Sequence, residues 1–133
     1  MSYRQQTAKA ARPVPNTDDE WLALVRSDRD DLIRSDDDWA RFIAEPGRRD
    51  SLFPGCDDET IHAFSRGLIF HDGVIASADY SMLVDKLTYR QVYRIWDDAF
   101  MMPEKLVPDH DGYACSSPHT CTSAVFSICM SGC

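Results

Sequence analysis

Apolar positions recur with a helical period over most of the first hundred residues, and short polar clusters mark where each helix starts. Thr17-Asp-Asp-Glu20 fits a capping box, a hydroxyl followed three residues on by a carboxylate. Trp21, Leu22, Leu24, Val25, Leu32 and Ile33 follow it in a helix-compatible pattern. Ser35-Asp-Asp-Asp38 starts a second run through Trp39, Phe42 and Ile43, which Pro46-Gly47 ends. After the break at Pro54-Gly55, Asp57, Asp58 and Glu59 open a third helix with Ile61, Phe64 and Leu68 on one face. DDEWLALV (18–25) and DDDWARFI (36–43) resemble each other because both begin with an acidic first turn, which suits the helix dipole. Two copies of eight residues do not make a solenoid.

His71-Asp-Gly73 reads as a turn. Residues 74–87 are ambiguous: VIASA fits a short strand, and SMLVDKL fits a helical turn or two. Thr88-Tyr-Arg-Gln91 is a second capping box, leading a helix with Val92, Ile95, Trp96, Ala99 and Phe100 at i, i+3, i+4, i+7 and i+8 spacing. Pro103 ends it, and a polar, Pro-containing stretch runs on to Asp111. The pattern predicts an all-α protein in four parts. Residues 1–16, polar with Pro13 and Pro15, form a flexible arm, and 17–102 form a small helical domain. A mobile linker and cleavage region follows at 103–114, and 115–133 is an unstructured Cys/Ser/Thr-rich tail. Helices 17–102 are expected to hold structure without the tail.

Charge sharpens the division. The chain has 14 Lys and Arg against 22 Asp and Glu, and all of them precede Gly112. A net charge of −8 and a pI near 4.8 count against nucleic-acid binding, since phosphates demand clustered Lys and Arg. An acidic surface suits a basic groove on a protein partner. No stretch approaches the ~18–20 apolar residues of a membrane span, and MSYRQQTAKAARPVPN lacks the apolar run of a Sec signal. The expected compartment is therefore the cytoplasm, where four crowded thiols do not normally become structural disulfides. Metal binding, redox chemistry and enzymatic modification remain.

In the tail, CSSPHTCTSAVFSICMSGC, each Cys after the first has hydroxyl residues upstream. Ser116 and Ser117 lie before Cys121, Thr122 and Ser123 before Cys129, and Ser127 before Cys133. Loss of water from Ser or Thr gives an electrophilic alkene, and a Cys thiolate can add to it and close a thioether ring. On these residues the tail resembles the core peptide of a lanthipeptide, and the whole chain resembles its precursor, a leader followed by a core. The nearest pattern is mersacidin-like: an opening Cys115-Ser116, a central Cys121-Thr122 and a closing Cys133. No Gly-Gly or Gly-Ala doublet precedes the core, the leader is long for the family, and a related class of modified peptide fits the same cues.

The resemblance implies a substrate rather than an enzyme, with no catalytic residue, metal or cofactor of its own. It implies dehydration at Ser116, Ser117, Thr120, Thr122, Ser123, Ser127 and Ser131, and thioethers at Cys115, Cys121, Cys129 and Cys133. Rings would close from Ser116 or Ser117 to Cys121, Thr122 or Ser123 to Cys129, and Ser127 or Ser131 to Cys133. Cys115 would react back with Ser116 or stay a thiol or disulfide. Gly112, Tyr113 and Ala114 mark the region where the leader would be cut. The partners implied are a lanthipeptide synthetase or other modifying enzyme and a leader peptidase or transporter, with neither nucleic acid nor membrane for the precursor. The precursor would be cytoplasmic and the mature core secreted, commonly as an antibacterial. Tyr89, Val92, Ile95, Trp96 and Phe100 form the apolar stripe expected to dock in a groove of the modifying enzyme. Docking makes each step on the tethered core intramolecular.

Other readings compete. Cys115, His119, Cys121, Cys129 and Cys133 could hold zinc in a small all-α binding or adaptor protein, although the spacings lack a C-x2-C knuckle. The tail could also be disordered, its cysteines incidental. Residues 87–96 could form the second helix of a helix-turn-helix, which the acidity opposes. Cys56 reads as a small buried hydrophobe, and His62, His71 and His110 as packed or solvated side chains. Trp21, Trp39 and Trp96 read as core anchors. No phosphate-binding, nucleophile-elbow or zinc-protease motif is present.

Overall fold

Helix starts follow the local caps. A computed structural model describes residues 13–133, so the first twelve residues of the arm expected over 1–16 lie outside the described residues. Thr17 caps α1 (Asp18–Val25), its hydroxyl accepting from Glu20 N at 3.2 Å. The Glu20 carboxylate accepts from Asn16 N instead of closing the box on Thr17. Ser35 caps α2 (Asp36–Ile43) and Asp57 caps α4 (Asp58–Arg66) in the same way. Hydrogen bonds from the Thr60 side chain and N–H hold the Asp57 carboxyl below the usual carboxylate range. At α5 (Tyr89–Phe100) the box is complete, Thr88 and Gln91 each accepting from the other's N–H. Between the two Pro-Gly breaks lies a helix the pattern does not announce, α3 (Arg48–Leu52).

The prediction of an all-α protein is overturned. Leu68 does not end the third helix but begins β1 (Leu68–His71), which pairs with β2 (Val74–Asp79) across Asp72-Gly73. Both turn residues have positive φ, 53° and 76°, as a two-residue hairpin with the right twist requires. The tail, expected to be unstructured, supplies β3 (Asp111–Ser117) and β4 (Thr120–Cys129). The four strands form one antiparallel sheet in the order β1-β2-β4-β3, so the protein is mixed α/β. Nor is the stretch expected to be a mobile linker structureless: Glu104–Asp109 is a 3-10 helix with Leu106 and Val107 buried.

The three tryptophans anchor the core as expected. Trp39 packs on Phe64 and Phe100 with ring centroids 5.8 Å apart in both cases, and Trp96 lies 6.0 Å from Phe64. Strand β2 is buried from Val74 to Ala78, so it reads as an apolar run rather than an alternation. Ile128 and Met130, from the tail, are fully enclosed in the same core as the helices. The tail is therefore part of the domain's interior.

Candidate functional site: the cysteine cluster of the tail

Strand β4 is bent, and the bend makes the site. Tyr113 pairs with Ser123 and Asp111 with Ile128, so a short step along β3 spans a longer one along β4 and residues 124–127 bulge outward. Phe126 takes a left-handed φ of 58° in this bulge. In a straight strand Cys121 and Cys129 would lie about 26 Å apart. Here their Cα atoms are 6.0 Å apart and the two are disulfide-bonded.

A second disulfide joins Cys115 of β3 to Cys133, with Cα atoms 5.8 Å apart. Met130 N donates to Ala76 O at 2.8 Å, and Cys133 N turns back to Met130 O. Gly132 lies so close to β2 that a Cβ would overlap Ile75 O and the Val74 side chain. The expectation that these thiols would not form structural disulfides is thus at odds with the fold, which pairs all four.

Cys115, Cys129 and Cys133 are buried, and their sulfurs all lie within 4.8 Å of one another. With Ala76 they form a small buried cluster separate from the main core. Cys121, by contrast, is exposed. His71, on β1 and 44 residues away in sequence, brings Nδ1 to 3.9 Å from Cys115 Sγ. His71, His119 and Cys133 line a cleft of about 280 Å³ with Phe70, Val74 and Pro118. His119 sits in the β3–β4 turn with a φ of 66° and donates its N–H to Cys133 O at 2.6 Å.

Sequence grouping found His119 and the cysteines but not His71, which carries no local signal beyond its place beside an Asp-Gly turn. It also missed His110. That ring is not solvated but spans α1 and β4, with Nε2 2.8 Å from Asp18 Oδ1 and Nδ1 2.9 Å from Cys129 O. Cys56 is half-buried, and burial raises its thiol pKa.

The expected modification sites divide by exposure. Ser116, Ser117, Thr120, Thr122 and Ser123 are exposed on the hairpin arm, Ser131 is half-buried, and Ser127 is buried in the bulge. The cleavage triplet Gly112, Tyr113 and Ala114 lies within β3, with Tyr113 exposed and Ala114 paired to Thr122. Of the docking stripe, Val92, Ile95, Trp96 and Phe100 are buried in the protein's own core, and Tyr89 is exposed. That stripe is already occupied by the rest of the domain.

Fold and site together define a disulfide-stapled α/β domain with a buried cluster of three cysteine sulfurs. No family model matches the chain, and no curated protein or solved structure is significantly similar to it. Among the described residues, no helix is long and apolar enough to cross a membrane.

Proposed function

We propose that the chain is the precursor of a ribosomally made, post-translationally modified peptide of the lanthipeptide type. Residues 1 to about 114 recruit the modifying enzyme; residues 115–133 are dehydrated, cyclised and released. The carrying observation is the uncharged hairpin arm, which holds five of the tail's hydroxyl residues and Cys121 exposed to solvent. The bulge adds support. Thr122 follows Cys121, whose Cα is 6.0 Å from that of Cys129, so Thr122 and Cys129 are at most about 10 Å apart. Once a thiol reductant has opened the Cys121–Cys129 disulfide to free the Cys129 thiolate, the second thioether ring closes between residues the fold already holds near each other.

Burial imposes an order. An enzyme can reach the exposed arm without opening the domain, whereas Ser127, Ile128 and Met130 must first leave the core. Recruitment cannot use the buried face of α5 unless the domain opens; the accessible face of that helix carries Tyr89, Arg90, Arg94 and Asp97, with half-buried Tyr93 6.4 Å from Tyr89 between ring centroids. The precursor is placed in the cytoplasm and the mature core outside, and an antibacterial role comes with the resemblance alone.

Co-expression with the enzymes encoded beside the gene, followed by mass spectrometry, tests the reading. The expected result is loss of one water per modified residue, appearing first among Ser116, Ser117, Thr120, Thr122 and Ser123, and at Ser127 only later. An unmodified tail would count decisively against it. Free fragmentation between Thr122 and Cys129, with Cys129 alkylatable, would remove the second ring.

A further inference from the structure

We infer that in the reduced chain Cys115, Cys129 and Cys133 bind a zinc ion, with His71 as the fourth ligand and Cys121 left free. Three buried cysteine sulfurs from β3, β4 and the segment after it, held in two disulfides in the oxidised chain, lie within 4.8 Å of one another. An imidazole nitrogen from β1 stands 3.9 Å from one of them. A tetrahedral zinc with Zn–S near ~2.3 Å and Zn–N near ~2.0 Å has edges of roughly 3.7 Å. On reduction the Cys115 and Cys133 sulfurs, bonded to each other in the oxidised chain, separate to about that edge. The Cys129 sulfur closes by at most about 1 Å and the histidine by less, movements that side-chain rotation can supply. Cys121 does not qualify in the same way, because it is exposed on the arm while the other three are buried.

Chemistry sets the conditions. A newly made chain carries free thiols; the oxidised form reaches that state when each disulfide takes two electrons from a thiol or phosphine reductant. Zinc then displaces three protons, one from each ligating thiol, and the neutral imidazole adds without proton loss. Sheet pairing and the Gly132 contact hold Cys129 and Cys133 in place, so the ligands are brought together by the fold rather than by their sequence spacing. For the precursor reading, on which this consequence alone rests, zinc would mask three thiols and direct the first ring to Cys121. Metal binding itself does not depend on that reading.

The test uses the full chain, reduced with a phosphine, stripped by a chelator and titrated anaerobically with cobalt(II) and then zinc. One cobalt per chain is expected, with a thiolate charge-transfer band and the visible bands of a tetrahedral site, both abolished by zinc. Cys115→Ser, Cys129→Ser and Cys133→Ser should each remove the band. His71→Ala should weaken zinc binding roughly tenfold or more and alter the visible bands, while Cys121→Ser and His119→Ala leave them unchanged. If the Cys variants fail to fold, alkylation of the unsubstituted chain decides. With zinc, Cys121 should be labelled and the other three tail cysteines protected until chelator is added. Absence of the cobalt bands, uniform labelling, or dependence on His119 or Cys121 in place of His71 would overturn the assignment. None of these readouts involves the modifying enzyme, so failure here and failure to dehydrate are separate results.

Discussion

A methyl group at position 132 would have to occupy space already held by the main chain of β2. Gly132→Ala should therefore cost about 1–3 kcal/mol, the usual penalty of overpacking, and loosen the last residues from the sheet. Urea denaturation checks the first effect; faster reduction of Cys115–Cys133 checks the second. Two tryptophans offer a finer comparison. Trp21 donates its indole N–H to Phe100 O at 2.9 Å, whereas Trp96 Nε1 is buried with no acceptor among the described residues. Both are fully buried, so replacement by Phe removes similar volume from each. Trp21→Phe should nonetheless be the more damaging by about 1–3 kcal/mol, because it leaves a buried carbonyl unpaired. Trp96→Phe removes a polar group that had no partner. Equal urea midpoints for the two variants would contradict this account.

At the scale of elements, the tail strands complete the domain. Burial of Ile128 and Met130 is worth about 1.5–3 kcal/mol each, and whole domains are stable by only ~5–15 kcal/mol. A chain ending at residue 111 should lose the fixed near-ultraviolet dichroism of its tryptophans while keeping part of its helical signal. The sequence pattern leads to the expectation that the front helices stay structured, or partly so, without the tail. Burial of Ile128 and Met130 in their core limits them to the partial outcome. The disulfides add a second contribution. Cys115–Cys133 closes a loop with a sequence separation of 18, for which chain entropy gives about 3 kcal/mol. Reduction without metal should lower the thermal midpoint, and added zinc should restore part of the loss if the reduced thiols take up the ion.

For the molecule as a whole, one contact links the end of the central strand to the start of the edge strand. Tyr80, buried just past β2, donates its hydroxyl to Asp111 at the start of β3. Burial, followed by the Asp111 hydrogen bond and charge, pushes the Tyr80 pKa far above its ordinary value. A Tyr in the unfolded chain ionises near ~10. Above that pH the unfolded state releases a proton that the folded state keeps, so stability is full below about 10 and falls as pH rises further. Tyr93 is shifted the same way, chiefly by burial. Alkaline unfolding followed by fluorescence should show this decline, and Tyr80→Phe should flatten it. An unchanged slope in that variant would remove Tyr80 as its source.

What the sequence determined by itself was local. A capping hydroxyl or carboxylate acts over three residues, which is why Thr17, Ser35, Asp57 and Thr88 mark the starts of four helices. An Asp-Gly pair acts over two, which is why the β1–β2 turn could be read without the fold. The charge boundary at Gly112 is likewise plain in the chain. The tertiary structure alone decided that the uncharged tail is sheet rather than coil. Strand pairing depends on partners far away in the chain, such as Ser77 for Cys129, and the bulge at 124–127 spoils the alternation that would have announced β4. Four cysteines permit three pairings, and spacing cannot choose among them. Only the bend in β4 brings Cys121 to Cys129, and only the folding of β1 against the tail sets His71 beside Cys115. Proximity between residues 44 apart in sequence comes from packing, and no local pattern of residues encodes it.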